Sequence, residues 1–140
     1  TLMRSSAASD VYKRQAYNSA YFVLTDDRKI LYDRIDQRVD LMMQEGLLEE
    51  VNALRLRGLK RESVAMQGLG YKELFGYFEG EYPLEEAVRI IKRDTRHFAK
   101  RQLTWFRRKE DTEWILLDKM QDFSSVVQIS TDYLREKGLP

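Results

Sequence analysis

Ala20-Tyr21-Phe22-Val23-Leu24-Thr25-Asp26-Asp27 decides the fold class. Its first five residues are apolar, aromatic or β-branched without a polar break, which is the composition of a buried strand. The next three change character at once. Thr25 offers a capping hydroxyl, and Asp26 and Asp27 put carboxylates where the positive end of a helix dipole favours them. A strand that runs straight into a capped helix belongs to an α/β architecture.

Outward from that stretch, periodicity predicts a helix from about Asp27 to Glu45, closed by Gly46. A second follows from Leu47 to Gly58, with Leu47, Val51 and Leu54 on one face. A polar loop covers Leu59 to Glu62, and the second half of MQGLGYKELFGYFEG reads as helix ending near Gly80. Tyr82-Pro83-Leu84-Glu85-Glu86 is a strong start, with Pro at the first helical position and acids in the first turn. That helix is expected to reach about Arg108, with cations at its negative end. Glu113 to Asp118 reads as a second strand and Phe123 to Lys137 as an amphipathic helix. The expected fold is therefore α/β and mostly helical, with two short strands that belong to a parallel sheet and need neighbours to complete it. Residues 1–16 are small, polar and aperiodic, and are expected to be disordered or foreign to a domain covering 17–140.

With 140 residues the chain has enough for one domain with a modest core. It holds no cysteine, so disulfides and thiolate metal sites are excluded, which fits a reducing cytosol. No apolar run approaches the roughly 20 residues that span a bilayer, and no secretory signal is read at the start. The net charge of +1 hides a segregation: nine Lys/Arg against one acid from Arg89 to Lys109, and five acids from Glu73 to Glu86.

At about 100° per residue, Leu84, Ala87, Val88, Ile91, Thr95, Phe98 and Phe106 cluster on one face of the long helix. Arg89, Arg93, Arg96, Lys100 and Arg107 form a second stripe, roughly 27 Å long. Such a stripe is either a solvated face or a surface for nucleic-acid phosphates. At its end, Lys100-Arg101-Gln102-Leu103-Thr104-Trp105-Phe106-Arg107 mixes cations, an amide, a hydroxyl and two large aromatics, the means by which single-stranded RNA is held. Phe106 reads as core; Trp105 is open between core and stacking surface.

In the first helix, Leu31, Ile35 and Met42 mark the expected buried face, and Arg38 falls among them, with Arg34 on the flank. A core-facing guanidinium needs an anion, either a carboxylate or a phosphate. Gln67-Gly68-Leu69-Gly70-Tyr71-Lys72 enters a helix with two glycines. It is either an anion-binding helix start or a tight, packed entry. No GxxxxGK[ST] motif is present. His97 is the only histidine, so a histidine-based metal site is not expected.

IDQRVDLMMQEGLLEEV, MQGLGYKEL and TRHFAKRQLTWFRR, in this order and spacing, resemble the tRNA dimethylallyltransferases over about Tyr17 to Asp118. AKRQLTWFR is highly specific. The resemblance implies the C-terminal part of a P-loop NTPase-like α/β fold. It implies transfer of a dimethylallyl group from dimethylallyl diphosphate to N6 of the adenosine 3′ of the anticodon, with Mg²⁺. Its partners would be the tRNA anticodon stem-loop and dimethylallyl diphosphate, with no membrane, for a cytoplasmic monomer. The target base would leave its stack to react. Arg38 matches the family arginine that steadies the diphosphate. Gln67, Gly68, Leu69, Gly70, Tyr71 and Lys72 match one tRNA-contacting segment, and Lys100, Arg101, Gln102, Leu103, Thr104, Trp105, Phe106 and Arg107 another, with Arg96 a further phosphate contact. The family's phosphate loop, its catalytic aspartate and most of its tRNA-binding insertion have no counterpart in these residues, so by themselves they are expected to be inactive. Two other readings compete: a helical RNA-binding module without chemistry, which has no need of Arg38, and a piece of another P-loop enzyme such as a kinase, which leaves AKRQLTWFR unexplained.

Overall fold

The structure, a computed structural model, describes residues 18–120 and 122–140. The expectation for residues 1–16 lies outside them. In chain order the elements are β1 (Tyr21–Thr25), α1 (Arg28–Gln44), α2 (Leu47–Leu56), α3 (Tyr71–Phe78), α4 (Leu84–Phe106), β2 (Thr112–Leu116) and α5 (Phe123–Glu136), with 3₁₀ turns at Val64–Gln67 and Leu117–Lys119. Two compact units result: one holds both strands and α5, the other spans Asp26–Arg108.

In the first unit β1 and β2 pair in parallel, Tyr21 opposite Thr112 through Thr25 opposite Leu116. The mostly helical α/β reading with two parallel strands holds. β2 starts one residue earlier than expected and stops at Leu116, because Met120 N–H turns back to the Leu117 carbonyl at 3.1 Å. Val23 and Ile115 are buried. The Phe22 ring meets Tyr133 of α5 edge-on at 5.3 Å. Asp122 caps α5, accepting from Ser125 N–H at 2.9 Å.

The second unit is helical, and its core is Val39, Leu47, Val51, Met66, Leu74, Phe75, Ala87 and Ile91. Each fully buried Leu, Ile or Val contributes about 1.5–3 kcal/mol of transfer free energy. The cap of α1 is Asp27, whose Oδ1 accepts from Lys29 N–H at 2.8 Å; Thr25, expected to cap, stays in β1. Gly70 lies at φ +96°, where a side chain would be strained, and its N–H donates to Glu73 Oε2 at 2.8 Å. A Cβ on Gly76 would stand 2.7 Å from Tyr82 Cζ, so only glycine lets that ring close over α3.

Two expected faces shift. In α1 the buried residue is Val39, while Leu31, Ile35 and Met42 are half-buried. Arg38 does not face the core: 62% of its side chain is exposed. The face that seals is set by where the neighbouring helices lie, one residue on from the centre that periodicity gives. In α4 the buried positions are Ala87 and Ile91, and Phe98, expected on the same face, is 45% exposed.

Candidate nucleic-acid interface

α4 is a single rod with two electrostatic halves. In the first, each cation meets a carboxylate. Arg89 Nε donates to Glu86 at 2.7 Å, and Arg93 Nε to Asp94 at 2.7 Å. Lys92 reaches Asp40 of α1 at 2.7 Å and Arg96 reaches Asp36 Oδ2 at 2.6 Å. The hydrogen bond from Arg89 holds the Glu86 carboxyl below the usual carboxylate range, and that from Arg93 does the same to Asp94. Arg96 is thus clamped to a carboxylate between two helices, not presented to a phosphate as its sequence position implied.

The second half differs. Lys100, Arg101, Arg107 and Arg108 make no ion pair among the described residues. The negative end of the helix dipole accounts for Arg107 and Arg108, at about 0.3–1 kcal/mol each, but its influence fades within the last turn and does not explain Lys100 and Arg101. The Arg101 guanidinium lies 5.8 Å from the Phe98 ring centre. Trp105 is 55% exposed, which resolves its open reading in favour of a surface ring, and it meets Phe106 edge-on at 5.0 Å. His97, Lys100, Arg101, Thr104, Trp105 and Arg108 line a cavity of about 490 Å³. Of the expected contacts here, the structure gathers Lys100, Arg101, Thr104 and Trp105. Gln102 and Arg107 are exposed outside the lining, and Leu103 and Phe106 are half-buried.

The glycine-bearing segment has settled its own polar groups. Gln67 Nε2 donates to the Arg61 carbonyl at 2.6 Å, and Tyr71 donates its hydroxyl to Glu50. That bond and burial raise the Tyr71 phenol above its ordinary range. Lys72 Nζ stands 3.5 Å from Glu73, the carboxylate that also takes the Gly70 N–H. The helix start is therefore a packed, carboxylate-capped entry, the alternative to an anion site that the sequence left open.

Arg34 pairs with buried Asp26 at 2.6 Å, and Arg38 only loosely with Glu45 at 3.7 Å. Both arginines border an apolar groove of about 300 Å³ floored by Leu31, Ile35, Val39, Met42, Leu69 and Ile91. The arrangement has apolar length beside a guanidinium held by only one distant carboxylate. Among the described residues no group of three His, Asp or Glu could hold a metal ion.

Sequence reasoning missed Asp36 and Asp40 as partners of the long helix. The signal was there: carboxylates four apart in α1 facing cations four apart, Lys92 and Arg96, in a helix running the other way. It also missed Arg108 and left His97 without a role.

A model of the IPP transferase family matches residues 2–109. The chain is 53% identical over 119 residues to the tRNA dimethylallyltransferase of Lachnoclostridium phytofermentans, covering 85% of this chain and 37% of that protein. To the tRNA dimethylallyltransferase of Clostridioides difficile it is 43% identical over 129 residues, covering 92% of this chain and 42% of the relative. Among solved structures, the tRNA isopentenylpyrophosphate transferase of Bacillus halodurans superposes with a TM-score of 0.80 at 39% identity, over 94% of this chain and 45% of that one. The corresponding enzyme of Staphylococcus epidermidis gives 0.82 at 33% identity, over 95% and 43%. The chain thus spans less than half the length of these relatives.

Proposed function

The chain belongs to the IPP transferase family, and from that premise we propose that the protein carrying it transfers a dimethylallyl group from dimethylallyl diphosphate to N6 of the adenosine 3′ of the anticodon in tRNA. The observation that carries the RNA half of this reading is the end of α4 and the two residues after it: four cations with no ion pair among the described residues, beside exposed Phe98 and Trp105. Cations without carboxylates bind phosphates at low desolvation cost, and exposed rings stack on unpaired bases. An anticodon stem-loop offers both.

The prenyl half rests on the groove beside α1. Its aliphatic floor suits a five-carbon chain, and in this proposal Arg38, at its border, neutralises charge growing on a departing diphosphate. Arg38 fills this role from the surface of α1, not from its core. Arg34, already paired with Asp26, positions that border. The described residues do not fit Mg²⁺: no group of three His, Asp or Glu among them could hold the ion. No described helix is long and apolar enough to cross a membrane. The reading is of a monomer acting in the cytoplasm.

Radiolabelled dimethylallyl diphosphate and tRNA, incubated with a protein containing this chain, should give labelled tRNA. Arg38→Ala should lower kcat by about a hundredfold, the order seen when one preorganised donor to a developing anion is removed. Unlabelled tRNA would refute the activity; an unaltered kcat in Arg38→Ala would remove Arg38 from it.

A further inference from the structure

Arg34 does more than shape the border of the groove, and the reason lies in how Asp26 holds it. The Asp26 side chain is only 2% exposed, and its Oδ2 takes no well-directed hydrogen bond among the described residues. What offsets its charge is Arg34 Nη1 at 2.6 Å. A carboxylate taken out of water is costly, and such a pair adds little net stability. The partner is not buried with it: 58% of the Arg34 side chain is exposed. Asp26 Oδ1 is fixed in turn, accepting from Asp27 N–H at 3.1 Å. The pair is therefore a carboxylate rooted in the fold and a guanidinium standing out from it. A guanidinium has five N–H donors, and Asp26 approaches it at Nη1 without taking a directed hydrogen bond. The pair need not break for Arg34 to bind a second anion. Arg96 is the contrast: its Nη1 donates to both oxygens of Asp36, and only 30% of its side chain is exposed.

Arg38 stands four residues on, which puts the two guanidiniums one turn apart on one side of α1, both bordering the apolar groove. Its own partner, Glu45, is 3.7 Å away. Like charges four apart on a helix repel, so the arrangement costs stability unless an anion joins them. Two guanidiniums a turn apart, one rooted and one loose, fit an anion with two charged centres. Diphosphate is such an anion, and its oxygens match the planar fork of arginine.

We propose that Arg34 is a second diphosphate-binding residue beside Arg38, and that buried Asp26 is the positioning residue that holds its guanidinium at the groove. This rests on the prenyl reading of the groove and deepens it. Arg38 follows the charge that grows on the leaving group, while Arg34 grips the same group before reaction. Interactions made equally with substrate and transition state change KM, and those that strengthen in the transition state change kcat. Arg34 and Asp26 belong to the first kind.

Titration calorimetry of inorganic diphosphate with the protein containing this chain tests the assignment directly. Arg34→Ala should weaken diphosphate by about tenfold, the order of one hydrogen bond to a charged group. Asp26→Asn should weaken it in the same direction by a smaller factor, and neither should alter tRNA affinity. In transfer assays both should raise KM for dimethylallyl diphosphate more than they lower kcat, unlike Arg38→Ala. Free guanidinium, compared with sodium chloride of equal strength, should restore diphosphate binding to Arg34→Ala but not to Arg34→Ala combined with Asp26→Asn. Removing Arg34 leaves a buried charge unpaired, so if that variant does not fold, Asp26→Asn decides alone. Unchanged diphosphate affinity in Asp26→Asn, or equal losses for diphosphate and tRNA, would overturn the proposal. Diphosphate binding that depends on Arg34 and Asp26, in a protein that transfers no prenyl group, would overturn the function proposed above and leave this anion site standing.

Discussion

The first four turns of α4 and its last two both carry apolar and cationic side chains and do opposite things with them. Before Thr95, apolar side chains are sealed against α1 and α3, and arginines and lysines are held by carboxylates. Beyond His97, Phe98 and Trp105 are exposed, and Lys100, Arg101, Arg107 and Arg108 make no ion pair among the described residues. What differs is the neighbourhood. Asp36 and Asp40 of α1 reach Arg96 and Lys92, and no acid in α4 itself follows Asp94. A cation already paired has lost most of its value to a phosphate, because binding must first break the pair. One helix is thus packed scaffold over its first part and an exposed cationic surface at its end.

The sharpest break in this contrast is expected in stability. Ile91→Ala, at a position 1% exposed, should cost about 2–5 kcal/mol in urea unfolding. Phe98→Ala, seven residues on, should cost about 1 kcal/mol or less, since the residue is already 45% exposed to water. Equal costs would mean that the two halves are packed alike.

Next in size is the salt dependence of RNA binding. Replacing Lys100, Arg101 and Arg107 with Ala should lower the slope of log affinity against log salt by roughly 2 to 3, with little change in unfolding. Arg96→Ala should do the reverse, leaving the slope as it was and lowering stability by about 1 kcal/mol. That modest figure allows for solvent screening of a pair about a third exposed. A lowered slope in Arg96→Ala would return that residue to the phosphate surface.

The smallest effect is on acid stability. Arg93 holds the Asp94 carboxyl below its usual range, so the carboxylate form is favoured by folding. The sign follows: the contribution is complete above the ordinary carboxylate pKa and is lost as pH falls through the lowered one. Asp94→Asn should flatten that part of an acid unfolding curve. Lys100→Ala should leave it unchanged, having no described carboxylate to release.

Much of this was legible in the residues. Ala20 to Asp27 announced a strand feeding a helix, Pro83 and two glutamates announced α4, and three motifs announced the family. The candidate interface was legible in part: Lys100, Arg101, Thr104 and Trp105 do come together, whereas Arg96 does not join them. Arg38 was placed in the right helix on the wrong face. The glycine-rich entry looked open to anions because a sequence does not display that Glu73 turns back onto the Gly70 N–H.

Local order was fixed by the chain alone, because caps, turns and apolar periodicity act within a few residues of one another and are written in adjacent letters. Which cations are free, which face of α1 is sealed and where a cavity opens were decided only when helices distant in sequence met. Charge is neutralised by whatever carboxylate arrives within about 4 Å, and arrival at that distance is a property of packing, not of spacing along the chain.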